Sequence, residues 1–87
     1  GMRTLCELCL PFVRPGGVFI ACKGAEAVRE VQEAQNAIER LGGQVSGIIG
    51  QDRSRYREEH CLVLVEKLRA TDPKYPRRAG QPGRKPL

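Results

Sequence analysis

The sequence contains few aromatic residues. Its 87 residues include no Trp, and two Tyr and two Phe supply all of the aromatic side chains. Because aromatic rings fill much of the volume of many protein cores, a core without them must be built from aliphatic side chains, here Leu, Val, Ile and Ala. The length allows one small domain, in which the margin of stability is narrow.

Long hydrophobic runs are also missing. No stretch of about 18 apolar residues is present, which predicts that the chain has no membrane-spanning helix. The N-terminus shows no basic segment followed by an apolar segment and a small-residue cleavage site, as a secretion signal would. We therefore expect a cytoplasmic protein that makes no contact with a membrane.

Metal-binding and redox motifs are incomplete. Cys6 and Cys9 form the motif C-E-L-C, but a zinc site needs a second close pair of ligands. The remaining candidates, His60 and Cys61, are adjacent, and neighbouring residues of a strand point to opposite faces. Each Cys lies in an apolar run, where it packs as a small hydrophobic residue. The sequence therefore predicts neither a metal site nor a disulfide framework.

Positive charge is concentrated at the C-terminal end. Residues 69–87 contain six basic side chains and one acidic side chain, while the other 68 residues contain nine of each. The segment is rich in Pro and Gly, and Pro lacks an N–H donor and fixes φ, so we predict that it forms neither strand nor helix. The predicted organisation is a charge-balanced body at 1–68 and a basic tail at 69–87 that can contact a polyanion.

The apolar pattern predicts an α/β fold in the order helix, strand, helix, strand, strand. The predicted elements are Thr4–Leu10, Val18–Cys22, Ala25–Leu41, Gln44–Gly50 and Cys61–Leu68. The continuous apolar run V-F-I-A-C is typical of a strand that is covered on both faces. A charged loop at 51–59 separates the last two strands, which we expect to pair antiparallel. Gly42-Gly43 provides a helix stop.

Several motifs then occur in a fixed order. They are L-x-x-L-C-L-P-x-x-x-P-G-G-x-F-x-A-x-K-G, L-G-G at the end of the long helix, L-V-L-V-E-K, and T-x-P-K-Y-P-R-R-A-G in the tail. In these motifs, from about Leu5 to Leu87, the sequence resembles the C-terminal part of the bacterial 16S rRNA 7-methylguanosine methyltransferase family, also called glucose-inhibited division protein B.

The resemblance implies a fragment of a Rossmann-like fold that corresponds to its fifth, sixth and seventh strands. Intact members use S-adenosylmethionine to methylate N7 of a guanosine in small-subunit ribosomal RNA. Their donor site lies in the other half of the sheet, with a glycine-rich turn after the first strand and an acidic residue after the second. Because Gly16-Gly17 precedes a strand and Gly42-Gly43 follows a helix, we assign no catalytic or cofactor-binding residue and expect no donor binding by this chain alone.

The tail carries the candidate site. We predict contacts with ribosomal RNA phosphates from Lys74, Arg77, Arg78, Arg84 and Lys85, and stacking of Tyr75 on an unpaired base. A solvated, partly disordered terminus would have the same composition. Two other functions are therefore open: a non-catalytic RNA-binding or assembly module, and the relic of a truncated gene with no role of its own.

A prediction about association follows from the resemblance. In the family fold, the strand Val18–Cys22 has a neighbour on each side, and one of these neighbours is missing from this chain. An apolar strand with an unpaired edge can pair with another chain. We therefore predict a homodimer, either through this edge, with the two copies antiparallel about a two-fold axis, or through the apolar faces that have lost their partners.

Overall fold

The computed structural model describes residues 1–50 and 60–87, and the charged loop predicted at 51–59 lies outside these ranges. The fold is a small α/β arrangement of a three-stranded antiparallel sheet and three α-helices. The elements are α1 Met2–Cys9, a 3-10 helix at Leu10–Phe12, β1 Val18–Lys23, α2 Ala27–Arg40, β2 Gly43–Gly50, β3 Cys61–Lys67 and α3 Gln81–Arg84.

The sheet has the strand order β1-β3-β2, and β3 pairs antiparallel with both neighbours. In the register, Ile20 of β1 lies opposite Leu64, and Val45 of β2 lies opposite Val65. Because β1 and β2 both oppose β3, they run parallel to each other on its two sides. The predicted element order and the antiparallel last strand are confirmed.

The core lies between one face of the sheet and the helices. Ala21 of β1 and Val63 and Val65 of β3 are buried there, in one cluster with the apolar sides of α1 and α2. Helix α2 contributes Ala27, Val31, Ala34 and Ile38 to this cluster. The spacing of the apolar residues predicts one stripe along this helix that begins at Val28, but Val28 is 57% exposed. The stripe begins one residue earlier, at Ala27.

The other face of the sheet is open among the described residues. Val18 and Ile20 are 49% and 57% exposed, and Ile49 of β2 is 53% exposed on the same face. The prediction that β1 is covered on both faces is wrong for this chain, because the clustered core lies against the opposite face alone. The apolar run of β1 therefore predicts cover on both faces of the strand, whereas the described residues cover only one face.

Residues 69–87 fold back over the body. The hydroxyl of Thr71 donates to the carbonyl of Leu41 at 2.5 Å, and that of Thr4 donates to the carbonyl of Pro82 at 3.0 Å. The prediction that Pro excludes helix from this segment is wrong at α3, because Pro82 stands in the first turn, where its missing N–H has no helical partner to lose. No helix of the described ranges is long and apolar enough to cross a membrane.

Candidate nucleic-acid interface

An ion pair joins α1 to the basic segment. Glu7 is fully buried, and its carboxylate accepts hydrogen bonds from Arg77 Nη2 at 2.7 Å, from Arg77 Nε at 2.9 Å and from the Arg77 backbone N–H at 2.8 Å. The Arg77 side chain is 22% exposed. A planar guanidinium that meets both carboxylate oxygens forms one of the stronger charge-assisted pairs in proteins. This contact therefore fixes the middle of the basic segment on the body.

Hydrogen bonding controls the ionisation of Glu7. The side-chain hydrogen bonds from Arg77 hold the pKa of Glu7 below its ordinary value of 4.5, against the opposing effect of burial, which raises it. The same contact raises the pKa of Arg77. Both groups are therefore charged at neutral pH, and each cancels the charge of the other.

Tyr75 is part of the core. Its side chain is 8% exposed and packs in the same cluster as the helices, and Lys74 Nζ lies 5.3 Å from the ring centroid. A ring in this position does not offer a free face to a base. The structure thus separates Tyr75 and Arg77, which hold the fold, from the other four residues of the candidate site.

Those four residues are exposed cations. Lys74, Arg78, Arg84 and Lys85 form no ion pair with any residue of the described ranges. Three of them, Arg78, Arg84 and Lys85, line a surface pocket of about 360 Å³ together with Gln81. We call this group the cationic pocket. Its side chains place three positive charges and an amide around one concave surface, which is the chemistry of an anion site.

The backbone of α3 brings these cations together. Gly80 has φ +87°, which lets the chain reverse just before the helix. Hydrogen bonds from Gln81 N–H to the Arg78 carbonyl at 3.1 Å and from Arg84 N–H to the Gly80 carbonyl at 3.1 Å close the turn. Arg77 Nη2 also donates to the Lys85 carbonyl at 2.7 Å. The same guanidinium that pairs with Glu7 therefore also holds the backbone of Lys85, one of the residues that line the pocket.

Sequence reasoning missed two buried charges, the carboxylate of Glu7 described above and the ammonium of Lys67. Lys67, at the end of β3, is 1% exposed, and its Nζ donates to the carbonyls of Leu10 and Val13. Burial lowers the pKa of Lys67. The ammonium gives a charged donor to two carbonyls at the end of the 3-10 helix, and the Leu10 carbonyl also accepts a hydrogen bond from the Val13 N–H at 3.0 Å. The place of Lys67 near the end of the predicted strand Cys61–Leu68 gave no sign of burial, which only tertiary packing shows.

The remaining candidates form no further site. Lys23, at the end of β1, pairs with Glu30 at 3.2 Å. All four Cys are free thiols, and burial raises the pKa of Cys6 to about 12, so this thiol stays protonated. Within residues 1–50 and 60–87, no group of three or more His, Cys, Asp or Glu side chains is arranged to hold a metal ion.

Comparison with known proteins shows that the chain is similar in sequence to one part of several ribosomal RNA methyltransferases. It is 46% identical over 86 residues to the ribosomal RNA small subunit methyltransferase G of Clostridium tetani, and 45% identical over 86 residues to that of Oceanobacillus iheyensis. Each match covers 99% of this chain. The chain resembles the C-terminal part of these methyltransferases. The resemblance seen in its motifs is thus confirmed, although no protein-family profile matches the chain.

The similarity covers only part of each relative. The protein of Lactobacillus delbrueckii subsp. bulgaricus is 48% identical over 88 residues, which is 99% of this chain and 36% of the relative. The same 36% is covered in the relatives from Clostridium tetani and Oceanobacillus iheyensis. The chain therefore spans about a third of the length of the curated relatives it matches.

Within the described residues, no run of two glycines follows a strand and opens a helix, which is the turn that holds S-adenosylmethionine in Rossmann-like folds. Gly16 and Gly17 precede β1, and Gly42 and Gly43 lie between α2 and β2. A single glycine, Gly24, follows β1. Its carbonyl accepts a hydrogen bond from the Ala27 N–H at 3.1 Å. No step of methyl transfer can be derived from these residues.

Proposed function

We propose that this chain is the RNA-contacting part of a methyltransferase that uses S-adenosylmethionine to modify N7 of a guanosine in 16S ribosomal RNA. The observation that carries the proposal is the set of four exposed cations without acidic partners in the described ranges. They lie in a chain that is similar along 99% of its length to ribosomal RNA methyltransferases. Exposed, unpaired Arg and Lys are the side chains that bind RNA phosphates.

The strand arrangement supports a place for the chain in a Rossmann-like sheet. Strands β1 and β2 are parallel, helix α2 connects them, and β3 lies between them in the opposite direction. A strand–helix–strand unit with parallel strands is the building block of such sheets. We propose that β1, β2 and β3 are the fifth, sixth and seventh strands of that fold, and that the donor is held by other residues of the methyltransferase.

The test is a titration of this chain with small-subunit ribosomal RNA over a series of salt concentrations. Four phosphate contacts predict that the logarithm of the association constant falls with the logarithm of salt concentration with a slope of about −3 to −4. In parallel, calorimetry with S-adenosylmethionine is expected to give no binding heat. A slope near zero would contradict the RNA contact, and saturable donor binding would contradict the proposed division of roles.

A non-catalytic RNA-binding or assembly module is the second candidate, because the described residues hold the exposed cations but no glycine-rich turn between a strand and a helix. Mixing this chain with the remaining two-thirds of the Clostridium tetani relative separates the two functions. Restored methyl transfer to small-subunit RNA supports the methyltransferase. RNA binding without restored transfer supports the module, and absence of both supports a gene relic.

We also propose that two copies associate through the unpaired edge of β1. The strand lies at the end of the sheet among the described residues, and its apolar side chains Val18 and Ile20 are exposed beside it. Sedimentation equilibrium at high micromolar concentration is expected to show a dimer, and Ile20→Glu is expected to weaken it because the charge would enter the apolar contact. A clean monomer of the unmodified chain would contradict the proposal.

A further inference from the structure

We propose that the cationic pocket, lined by Arg78, Arg84 and Lys85, is a discrete site for one phosphodiester group of an RNA backbone. The inference rests on the proposed function, because RNA is the polyanion that would deliver the phosphate. A guanidinium binds two oxygens of one phosphate through its paired N–H groups, and the Lys85 ammonium adds a point charge. The Gln81 amide on the same lining supplies a neutral donor.

The carboxylates of Glu7 and Asp72 already have hydrogen-bond donors. Glu7 is held by three donors of Arg77. Asp72 accepts a hydrogen bond from the Lys74 backbone N–H at 2.9 Å, within its own turn. The positive charge of Arg78, Arg84 and Lys85 is therefore not cancelled by either carboxylate, and the surface stays open to an external anion.

The pocket is held in shape by contacts outside it. Arg77 Nη2 fixes the Lys85 carbonyl, and Thr4 of α1 fixes the Pro82 carbonyl at 3.0 Å. Two separate points of the α3 turn are thus bound to the body of the fold. Because the backbone is positioned before a ligand arrives, less ordering is needed when the cations close on a phosphate.

Inorganic phosphate tests the site without RNA. We expect saturable changes in the Nε–Hε nuclear magnetic resonance signals of Arg78 and Arg84 as phosphate is added at constant ionic strength. Arg14 and Arg40 are exposed cations elsewhere on the chain, and their signals are the internal control. Equal changes at all four arginines would show general screening and would overturn the inference.

RNA binding gives the second test, with a charge-matched control. Arg84→Ala/Lys85→Ala is expected to reduce the magnitude of the salt slope by about 1.4–1.8, the value for two lost phosphate contacts. Arg14→Ala/Arg40→Ala removes the same charge and is expected to leave the slope unchanged. Equal reductions in both variants would overturn the inference. Saturable phosphate binding in a chain that binds no RNA would leave the site in place and contradict only the proposed function.

Discussion

Replacing Arg77 by Ala is expected to lower the melting temperature of this chain by at least about 10 °C. The change leaves the carboxylate of Glu7 fully buried without its two guanidinium donors, Nε and Nη2, and only the backbone N–H of residue 77 can still bond to it. A buried carboxylate that loses its partner costs about 3–5 kcal/mol, and each kcal/mol shifts the midpoint of a domain of this size by about 4–8 °C. Thermal unfolding followed by circular dichroism measures the shift.

The adjacent residue supplies the control for this prediction. Arg78 is exposed and has no ion-pair partner in the described ranges, so Arg78→Ala removes the same charge from nearly the same place. Exposed substitutions of this kind change stability by no more than about 0.5 kcal/mol. If both variants melted at the temperature of the unmodified chain, the Glu7–Arg77 pair would not hold the segment.

The pH dependence of the Arg77→Ala variant has a predicted sign. In the unmodified chain, the pKa of Glu7 is below 4.5, so its contribution to stability is complete above pH 4.5 and is lost as pH falls through the folded-state pKa. Without the Arg77 side chain, the effect of burial, which raises the pKa of Glu7, is larger than the opposing effect of the remaining backbone hydrogen bond, so this pKa rises. The contribution then reverses: the variant gains stability from this group as pH falls through the raised pKa toward 4.5. Unfolding midpoints across acidic pH test the reversal.

Replacing Gly42 by Ala is expected to destabilise the fold by about 2–5 kcal/mol. Gly42 has φ +92°, and a Cβ at this position would lie 2.5 Å from the Arg69 carbonyl oxygen. The strained φ costs about 1–2 kcal/mol in a residue with a side chain, and overlap in a packed region adds about 1–3 kcal/mol. The Gly42 carbonyl also accepts hydrogen bonds from the N–H groups of Leu68 and Arg69, so movement to relieve the overlap would strain them.

Gly16 separates the two contributions. It has a similar φ of +90°, but a Cβ there would meet nothing within 4 Å. Gly16→Ala is therefore expected to cost only the backbone strain, about 1–2 kcal/mol. Denaturant unfolding of the two variants gives the difference as the cost of crowding Arg69. Equal losses would mean that the segment beginning at Arg69 can move away from Gly42 freely.

The element order could be predicted from the sequence because local signals were strong. Pro11 predicted the end of the first helix, and Gly42 predicted the end of the second. Three short apolar segments predicted the three strands. Antiparallel pairing of β3 with β2 followed from the short connection between them. The position of β3 between the other two strands depends on long-range pairing, which no local pattern specifies.

The division of labour in the basic segment could not be predicted, because composition treats all cations alike. The sequence placed Tyr75, Arg77 and Arg78 in one group of RNA-contacting residues. In the structure, Arg77 pairs with Glu7, 70 residues earlier, and the Tyr75 ring lies in the core. The signal that was available is Glu7 itself: a lone carboxylate in the apolar segment Leu5–Leu10 needs a partner. Only folding shows which Arg supplies it.

The most direct test of this account measures Arg77→Ala and Arg78→Ala side by side, each for melting temperature and for the salt slope of ribosomal RNA binding. We expect Arg77→Ala to lower the melting temperature by at least about 10 °C. Arg78→Ala is expected to keep the melting temperature and to reduce the magnitude of the slope by about 0.7–0.9. Identical behaviour of the two variants in both measurements would contradict the assignment of one arginine to the fold and its neighbour to RNA.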